Sequence, residues 1–142
     1  MNWSVIHNPA YWGEKRLNYP NVPKEHAKFS ESVVVENLIF VSGCIGKDAQ
    51  TNKAIPKSIA DQTYLALENT RLALDRAGSS MENIVKTFSL IRDLSEYGEY
   101  RKAETEYYEE YAPTLIKKPP SATLMVYPGL ALPELKMEYE VI

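Results

Sequence analysis

The spacing of apolar positions changes along the chain, and each change predicts a different element. Two short runs of β-branched and apolar residues, 32–36 and 38–42, are divided by a polar pair, which is typical of a β-hairpin. Between 58 and 77 the apolar residues recur at helical spacing instead. Ser58 lies where its hydroxyl can cap the first turn, and Gly78 is a natural stop because glycine takes positive φ at low cost.

The second half of the chain alternates strand and helix again. Residues 84–91 are almost continuously apolar, which predicts an inner strand of a sheet. A helix is predicted at 93–111, where tyrosines recur near helical spacing, and Pro113 ends it. Two further strands are predicted at 122–127 and 135–141.

The last predicted strand alternates cleanly between its two faces. One face carries Leu135, Met137, Tyr139 and Val141, and the other carries Lys136, Glu138 and Glu140. The order of elements predicts an α+β fold, in which a mixed β-sheet has two helices packed on one face. The other sheet face then needs a cover, and in a chain this short it is a ready oligomer interface.

Composition restricts the class of protein. At 142 residues, with 44% apolar residues, the chain is long enough for one ordinary core and too short for two, so we expect a single domain over 1–142. Residues 1–28 are rich in aromatics and prolines and are expected to form an extended N-terminal arm of that domain. A net charge of −3 gives no attraction for a polyphosphate backbone, so no nucleic-acid partner is expected.

The same counts bear on compartment and metals. A single cysteine excludes an intrachain disulfide and fits a reducing compartment. No apolar run approaches the length of a membrane span, and the N-terminus does not begin like a signal peptide, so we expect a cytoplasmic protein without a membrane partner. Two histidines and one cysteine lack metal-ligand spacing, and we expect neither a metal nor another cofactor.

An ordered set of short motifs runs from about residue 27 to residue 141. It comprises Phe29-Ser30, Val41-Ser42-Gly43-Cys44-Ile45, Asn69 with Leu74, Lys86 to Asp93, and Leu132-Pro133 with Glu138. In combination they resemble the Rid family (YjgF/YER057c/UK114), whose founding members hydrolyse reactive enamines and imines. The resemblance implies a chorismate-mutase-like fold, a homotrimer around a central barrel of sheet, and three clefts between subunits.

In the Rid family the cleft uses a backbone group near the signature glycine, an aromatic residue, an arginine and the C-terminal glutamate. The resemblance places Gly43 at the glycine and Glu138 at the catalytic glutamate, and it makes Gly43, Cys44 and Phe29 candidate substrate-binding residues. Phe29 occupies the aromatic position without a tyrosine's hydroxyl. Ala122 stands where the arginine should be, and no neighbouring residue of that stretch is an arginine.

The missing arginine matters because a guanidinium binds a carboxylate through two parallel hydrogen bonds, which alanine cannot replace. The candidate substrate-binding residues of this stretch are Ala122, Thr123 and Leu124. Arg101, on the second predicted helix, is a candidate substitute that would reach the same ligand from another wall. The alternative is an exposed helical arginine near Glu104 and Tyr97.

Glu138 and Cys44 can each be interpreted in two ways. Glu138 can orient water or carry a proton to an imine nitrogen if its surroundings raise its pKa toward neutrality; otherwise it is a solvated carboxylate beside Lys136 and Glu140. Cys44 is interpreted as a small buried side chain rather than a nucleophile, because neither histidine forms a recognisable Cys-His motif with it.

Two function classes follow. The first is a hydrolytic deaminase of a small imine or enamine, in which Glu138 handles water or proton, Gly43 supplies a backbone contact and Arg101 binds an anion. The second is a non-catalytic trimer that binds a small metabolite, such as a keto-acid-like ligand, or a protein partner in the same clefts. Loss of the arginine favours the second and retention of Gly43 and Glu138 the first. A ribonuclease, another label attached to the family, is least favoured by the charge balance.

Overall fold

The computed structural model describes residues 1–9, 29–48, 50–51 and 53–142. Its strands are β1 (Trp3–Ile6), β2 (Ser32–Val35), β3 (Leu38–Ile45), β4 (Lys86–Ile91), β5 (Ser121–Val126) and β6 (Met137–Val141). Its α-helices are α1 (Ile59–Arg76), α2 (Tyr97–Tyr111) and α3 (Thr114–Lys117).

The six strands form one mixed sheet. They lie in the order β1-β2-β3-β6-β4-β5, with β4 and β5 parallel and the other neighbouring pairs antiparallel. β4 thus has a neighbour on each side, as its continuous apolar sequence predicts. The predicted α+β fold, a mixed sheet with helices on one face, is confirmed. Residues 10–28, most of the expected N-terminal arm, lie outside the described residues.

Helix α1 begins and ends where the sequence predicts. The Ser58 hydroxyl accepts a hydrogen bond from the backbone N–H of Asp61 at 3.0 Å, which satisfies one of the first-turn amides that have no partner within the helix. Gly78 follows the helix with a φ of +80°, a conformation that costs a residue with a side chain more than it costs glycine.

The second predicted helix begins later than its sequence pattern indicates. Leu94–Glu96 form a 3₁₀ turn, and α2 starts at Tyr97 rather than at 93. The Asp93 side chain accounts for the difference, because it accepts a hydrogen bond from the backbone N–H of Ser95 at 2.8 Å and so caps the turn.

The core lies between the helices and one face of the sheet. That face carries the buried residues Leu135, Met137, Tyr139 and Val141, as the alternation of the last predicted strand requires. The helices contribute Leu67, Leu74, Tyr100 and Tyr107. Burying a large apolar side chain is worth about 1.5–3 kcal/mol, so contact between these two layers is a main source of the free energy of folding.

The opposite face of the sheet, here called the open face, has no helix packed on it among the described residues. Strand register assigns to it Val33, Phe40, Phe88, Leu90, Thr123, Met125, Glu138 and Glu140. Phe40 is 41% exposed and Met125 46%, although both side chains are large and apolar. This is the uncovered face that the predicted architecture requires. None of the described helices is both long and apolar enough to cross a membrane.

Candidate active site

The signature glycine lies directly against the C-terminal glutamate. The register of β3 against β6 shifts between Val41 and Cys44, so β3 bulges there. At the bulge the Gly43 backbone approaches the Glu138 carboxylate so closely that a Cβ on residue 43 would lie 1.8 Å from Glu138 Oε1. Only glycine fits this position without a shift. The structure therefore brings two of the predicted site residues into contact on the open face.

Gly43→Ala is expected to displace the Glu138 side chain, because the new methyl group would occupy the place of Oε1. If the carboxylate is catalytic, turnover should fall by about tenfold or more, since a small misplacement of a reacting group is costly. Gly98→Ala is the control, because a Cβ at residue 98 meets nothing within 4 Å. Single-turnover rates would measure both variants, and an unchanged rate in Gly43→Ala would contradict a tightly placed catalytic carboxylate.

The surroundings of Glu138 favour its protonated form. In the register of β6 it lies between Ile45 of β3 and Leu90 of β4, which are both apolar. Burial raises the pKa of Glu138 above its ordinary value, and the negative charge of Glu140 raises that pKa further. A carboxyl group shifted in this direction can release and recover a proton during a reaction near neutral pH.

Two amide side chains of α1 fix the strands that carry this pair. Gln62 is fully buried; its Nε2 donates to the Pro56 and Glu134 carbonyls at 2.7 and 2.9 Å, and its Oε1 accepts from the Lys136 N–H at 2.8 Å. Asn69 Nδ2 donates to two carbonyls at the end of β3, those of Ile45 at 3.0 Å and Lys47 at 2.7 Å. The helix thereby positions the end of β3, which carries Gly43, and the start of β6, which carries Glu138.

Phe29 lies three residues before β2, in a segment that is bonded to β3. The next residue, Ser30, accepts a hydrogen bond at its carbonyl from the Ser42 hydroxyl at 2.7 Å. This bond ties the segment of Phe29 to the residue that precedes Gly43. Phe29 is 53% exposed.

Cys44 faces the core rather than the open face. It pairs with Tyr139 of β6 and packs against the buried cluster. Burial raises the pKa of the Cys44 thiol to about 12, with the negative charges of Glu31 and Glu138 adding to the effect. The group is therefore a neutral thiol at physiological pH and a weak nucleophile.

The three candidate residues of β5 are divided between the two sheet faces. Thr123 is in register with Phe88 and lies on the open face, two strands from Glu138. Ala122 and Leu124 are in register with the buried residues Thr87 and Ser89, so they share the helix side of the sheet. Ala122, at the position matched to the family arginine, thus faces away from Glu138 within the same chain.

Arg101 also lies on the helix side, paired with Glu104 one turn along α2. Its side chain is 48% exposed, whereas that of Glu104 is only 3% exposed. Within one chain the sheet separates Arg101 from Glu138. This is the helical ion pair that the sequence offered as the alternative to an anion-binding role.

A buried polar cluster around Glu104 was not expected from the sequence. Tyr100 and Tyr139 both donate hydroxyl hydrogens to Glu104 Oε1 at 3.0 Å, and the Ser89 hydroxyl lies 2.7 Å from that of Tyr100. Burial raises the pKa of the Tyr139 hydroxyl well above its ordinary value. These hydrogen bonds lie in the core and join α2 to β4 and β6.

A mixed sheet with helices on one face, and a bulge that sets a glycine against a glutamate on the other, defines a Rid-type protein. The chain belongs to the Endoribonuclease L-PSP family, whose model matches residues 20–142. The resemblance to the Rid family (YjgF/YER057c/UK114) drawn from the motifs is thereby confirmed.

Similarity to individual proteins is moderate in sequence and extensive in structure. The chain is 31% identical over 94 residues to a RutC family protein of Pyrococcus abyssi, a match covering 66% of this chain and 74% of the relative. It is 29% identical over 99 residues to the 2-iminobutanoate/2-iminopropanoate deaminase of Rattus norvegicus, covering 70% of this chain and 72% of the relative. The crystal structure of E. coli TdcF with bound serine matches with a TM-score of 0.76 at 23% identity, over 97% of this chain and 96% of that chain.

Proposed function

We propose that this protein is a deaminase that hydrolyses small reactive imines or enamines in clefts between the subunits of a homotrimer. The contact between Gly43 and the partly buried Glu138 carboxylate carries the proposal. It places a group that can transfer a proton beside backbone that carries no side chain. The printed activity of the rat relative, an imine deaminase, supports the same class of reaction.

In the proposed reaction Glu138 moves the two protons of a water molecule to the nitrogen, one after the other. As a carboxylate it takes a proton from the attacking water while the water oxygen bonds to the imine carbon. It then gives that proton to the nitrogen, which leaves a carbinolamine. Glu138 next takes the hydroxyl proton of the carbinolamine and passes it to the same nitrogen, so that the carbon–nitrogen bond breaks, ammonia leaves and the oxygen remains as a carbonyl. The Gly43 backbone holds the substrate against the carboxylate, which keeps the reacting atoms close.

The homotrimer is the next part of the proposal, and we expect a solution mass three times the 16.2 kDa of the chain. The exposed apolar side chains of the open face would be covered by the other two subunits. Phe40→Glu should lower the mass, whereas Leu94→Glu, at an exposed apolar residue outside the sheet, should not. Light scattering at micromolar concentration tests this, and a monomer mass for the wild type would contradict the shared clefts.

A second candidate function is a non-catalytic trimer that binds a metabolite or a protein partner in the same clefts. Two points favour it: the resemblance puts Ala122 at the position of the family arginine, and Arg101 is engaged by Glu104 on the far side of the sheet. Both candidate functions take 1–142 as one cytoplasmic domain, with residues 1–28 as its N-terminal arm.

The two functions are separated by a turnover assay. An imine of a small 2-oxo acid is generated in place by an amino-acid oxidase, and release of the oxo acid is followed with and without the protein. Faster release supports the deaminase. No acceleration, together with measurable binding of the oxo acid, supports the non-catalytic protein.

A further inference from the structure

Glu138 lies in a row of apolar side chains that crosses the open face. In strand register Ile45 of β3 and Leu90 of β4 lie on either side of it, and Met125 of β5 follows Leu90. Residues that are paired in this way point to the same face, and in antiparallel pairs their Cβ atoms lie about 4.5–5.5 Å apart. The carboxyl group of Glu138 therefore has an apolar side chain beside it on each neighbouring strand.

The charge that acts on this row is negative. Glu140 lies two residues along β6 on the same face, and its carboxylate adds to the rise in the pKa of Glu138 that burial causes. A substrate carboxylate beside Glu138 would be repelled by the same charge, and it would lose hydration against Ile45 and Leu90. A neutral imine with an alkyl body meets neither cost.

The cations on or beside the open face are engaged by other groups. Lys86 precedes Leu90 by four residues, which is about 13 Å along a strand, and its Nζ donates to the Thr123 hydroxyl at 2.8 Å. Two more lie where β4 ends and β6 begins, and they are held by groups of the nearby loops: Lys136 by Glu96, and Arg92 by the carbonyls of Pro133 and Leu135. Among the residues that the structure describes, no lysine or arginine forms an ion pair with Glu138.

We propose that the cleft takes small aliphatic imines that carry no carboxylate, and that Ile45, Leu90 and Met125 form the wall that determines this specificity. This assignment rests on the proposed function for the reaction at Glu138. The substrate is then the imine that two-electron oxidation of a primary alkylamine forms. Water adds to its carbon, ammonia leaves, and a neutral aldehyde or ketone remains. The alkyl group lies along the apolar row while the carbon–nitrogen double bond faces Glu138.

The test compares two imines of the same branched carbon chain that differ in one carboxylate. Leucine and an amino-acid oxidase give 4-methyl-2-iminopentanoate, and 3-methylbutylamine and a flavin-dependent amine oxidase give 3-methylbutan-1-imine. Excess oxidase forms each imine in a burst, and the later release of ammonia reports hydrolysis with and without the wild-type protein. The acceleration should be about tenfold or more greater for the carboxylate-free imine, because a charge without a partner is costly against an apolar wall.

A second arm of the test adds a cation to the wall. Met125 is 46% exposed, and Met125→Arg should raise the acceleration of the leucine-derived imine by about fivefold or more, because a guanidinium pairs well with a carboxylate. Met125→Gln is the matched neutral variant and should show no such gain. Light scattering would check that both variants keep the wild-type mass. If either does not, the comparison of the two imines with the wild type decides alone.

The outcomes separate this specificity from the deaminase activity itself. If the wild type accelerates the leucine-derived imine as much as 3-methylbutan-1-imine, or more, the inference is overturned and the deaminase proposal stands. An assembled Met125→Arg variant without a gain over Met125→Gln would also overturn the role of the wall. If neither imine is accelerated, the proposed deaminase function and the specificity inferred from it both fail.

Discussion

Glu138→Gln is expected to lower turnover of an imine substrate by about a hundredfold or more while the oligomer survives. The amide keeps the shape of the side chain and much of its hydrogen bonding, but it cannot accept and return a proton. Contact with Gly43 should persist, because the substituted atom has nearly the same size. Single-turnover rates at several pH values would measure the effect, and light scattering would confirm the assembly.

Glu140→Gln is the matched control for this experiment. Glu140 lies two residues along on the same open face, carries the same charge and is exposed. Its charge raises the pKa of Glu138, so its removal should move the pH dependence of turnover toward lower pH without a large loss at neutral pH. Equal losses in Glu138→Gln and Glu140→Gln would indicate a general charge effect, and wild-type rates in both would show the catalytic assignment to be wrong.

Glu138→Gln should also change how the free energy of unfolding depends on pH. This measurement separates a loss of catalysis from a loss of structure. The folded-state pKa of Glu138 is raised, so the folded protein holds this proton more tightly than the unfolded chain does. The resulting stabilisation is present at low pH and is lost as the pH rises through the ordinary glutamate value and then the raised one. Gln has no charge to bury, so urea denaturation should show the variant gaining relative to the wild type from acid to neutral pH.

The elements could be predicted from the sequence because their signals are local. Ser58 and Gly78 mark the ends of α1 through hydrogen bonding and φ preferences that act within a few residues. The alternation of the last strand identifies its buried face, and therefore places Glu138 on the other one. Second-helix tyrosines likewise identify a buried stripe, although their hydroxyl partners were not foreseen.

The geometry of the site was less predictable because it depends on contacts between distant segments. The bulge that presses Gly43 against Glu138 arises from the register of two strands far apart in sequence. Gln62 holds the segment before β6 through the Glu134 carbonyl and the Lys136 N–H and joins it to the Pro56 carbonyl, and no local motif marks this glutamine as buried.

Removing the buried carboxylate of Glu104 is expected to have the largest effect on stability. Glu104→Ala would leave the hydroxyls of Tyr100 and Tyr139 without their shared acceptor and would open a cavity beneath α2. The hydroxyls keep those of Ser89 and Tyr108 as neighbours but lose a charged acceptor, and the loss of hydrogen bonds to a buried carboxylate together with the cavity is expected to cost about 3 kcal/mol or more. Urea denaturation at neutral pH and fixed protein concentration would measure the free energy of unfolding.

Glu106→Ala on the same helix provides the comparison that isolates burial from charge. Glu106 forms only a 3.8 Å pair with Lys102, and its side chain is 63% exposed, so the cost should stay below about 1 kcal/mol. Glu104→Gln should fall between the two alanine variants, because its amide oxygen still accepts from the tyrosines while its NH₂ group faces Arg101. If Glu104→Ala is no more destabilising than Glu106→Ala, the tyrosine hydroxyls find other acceptors and the cluster does not hold α2 to the sheet.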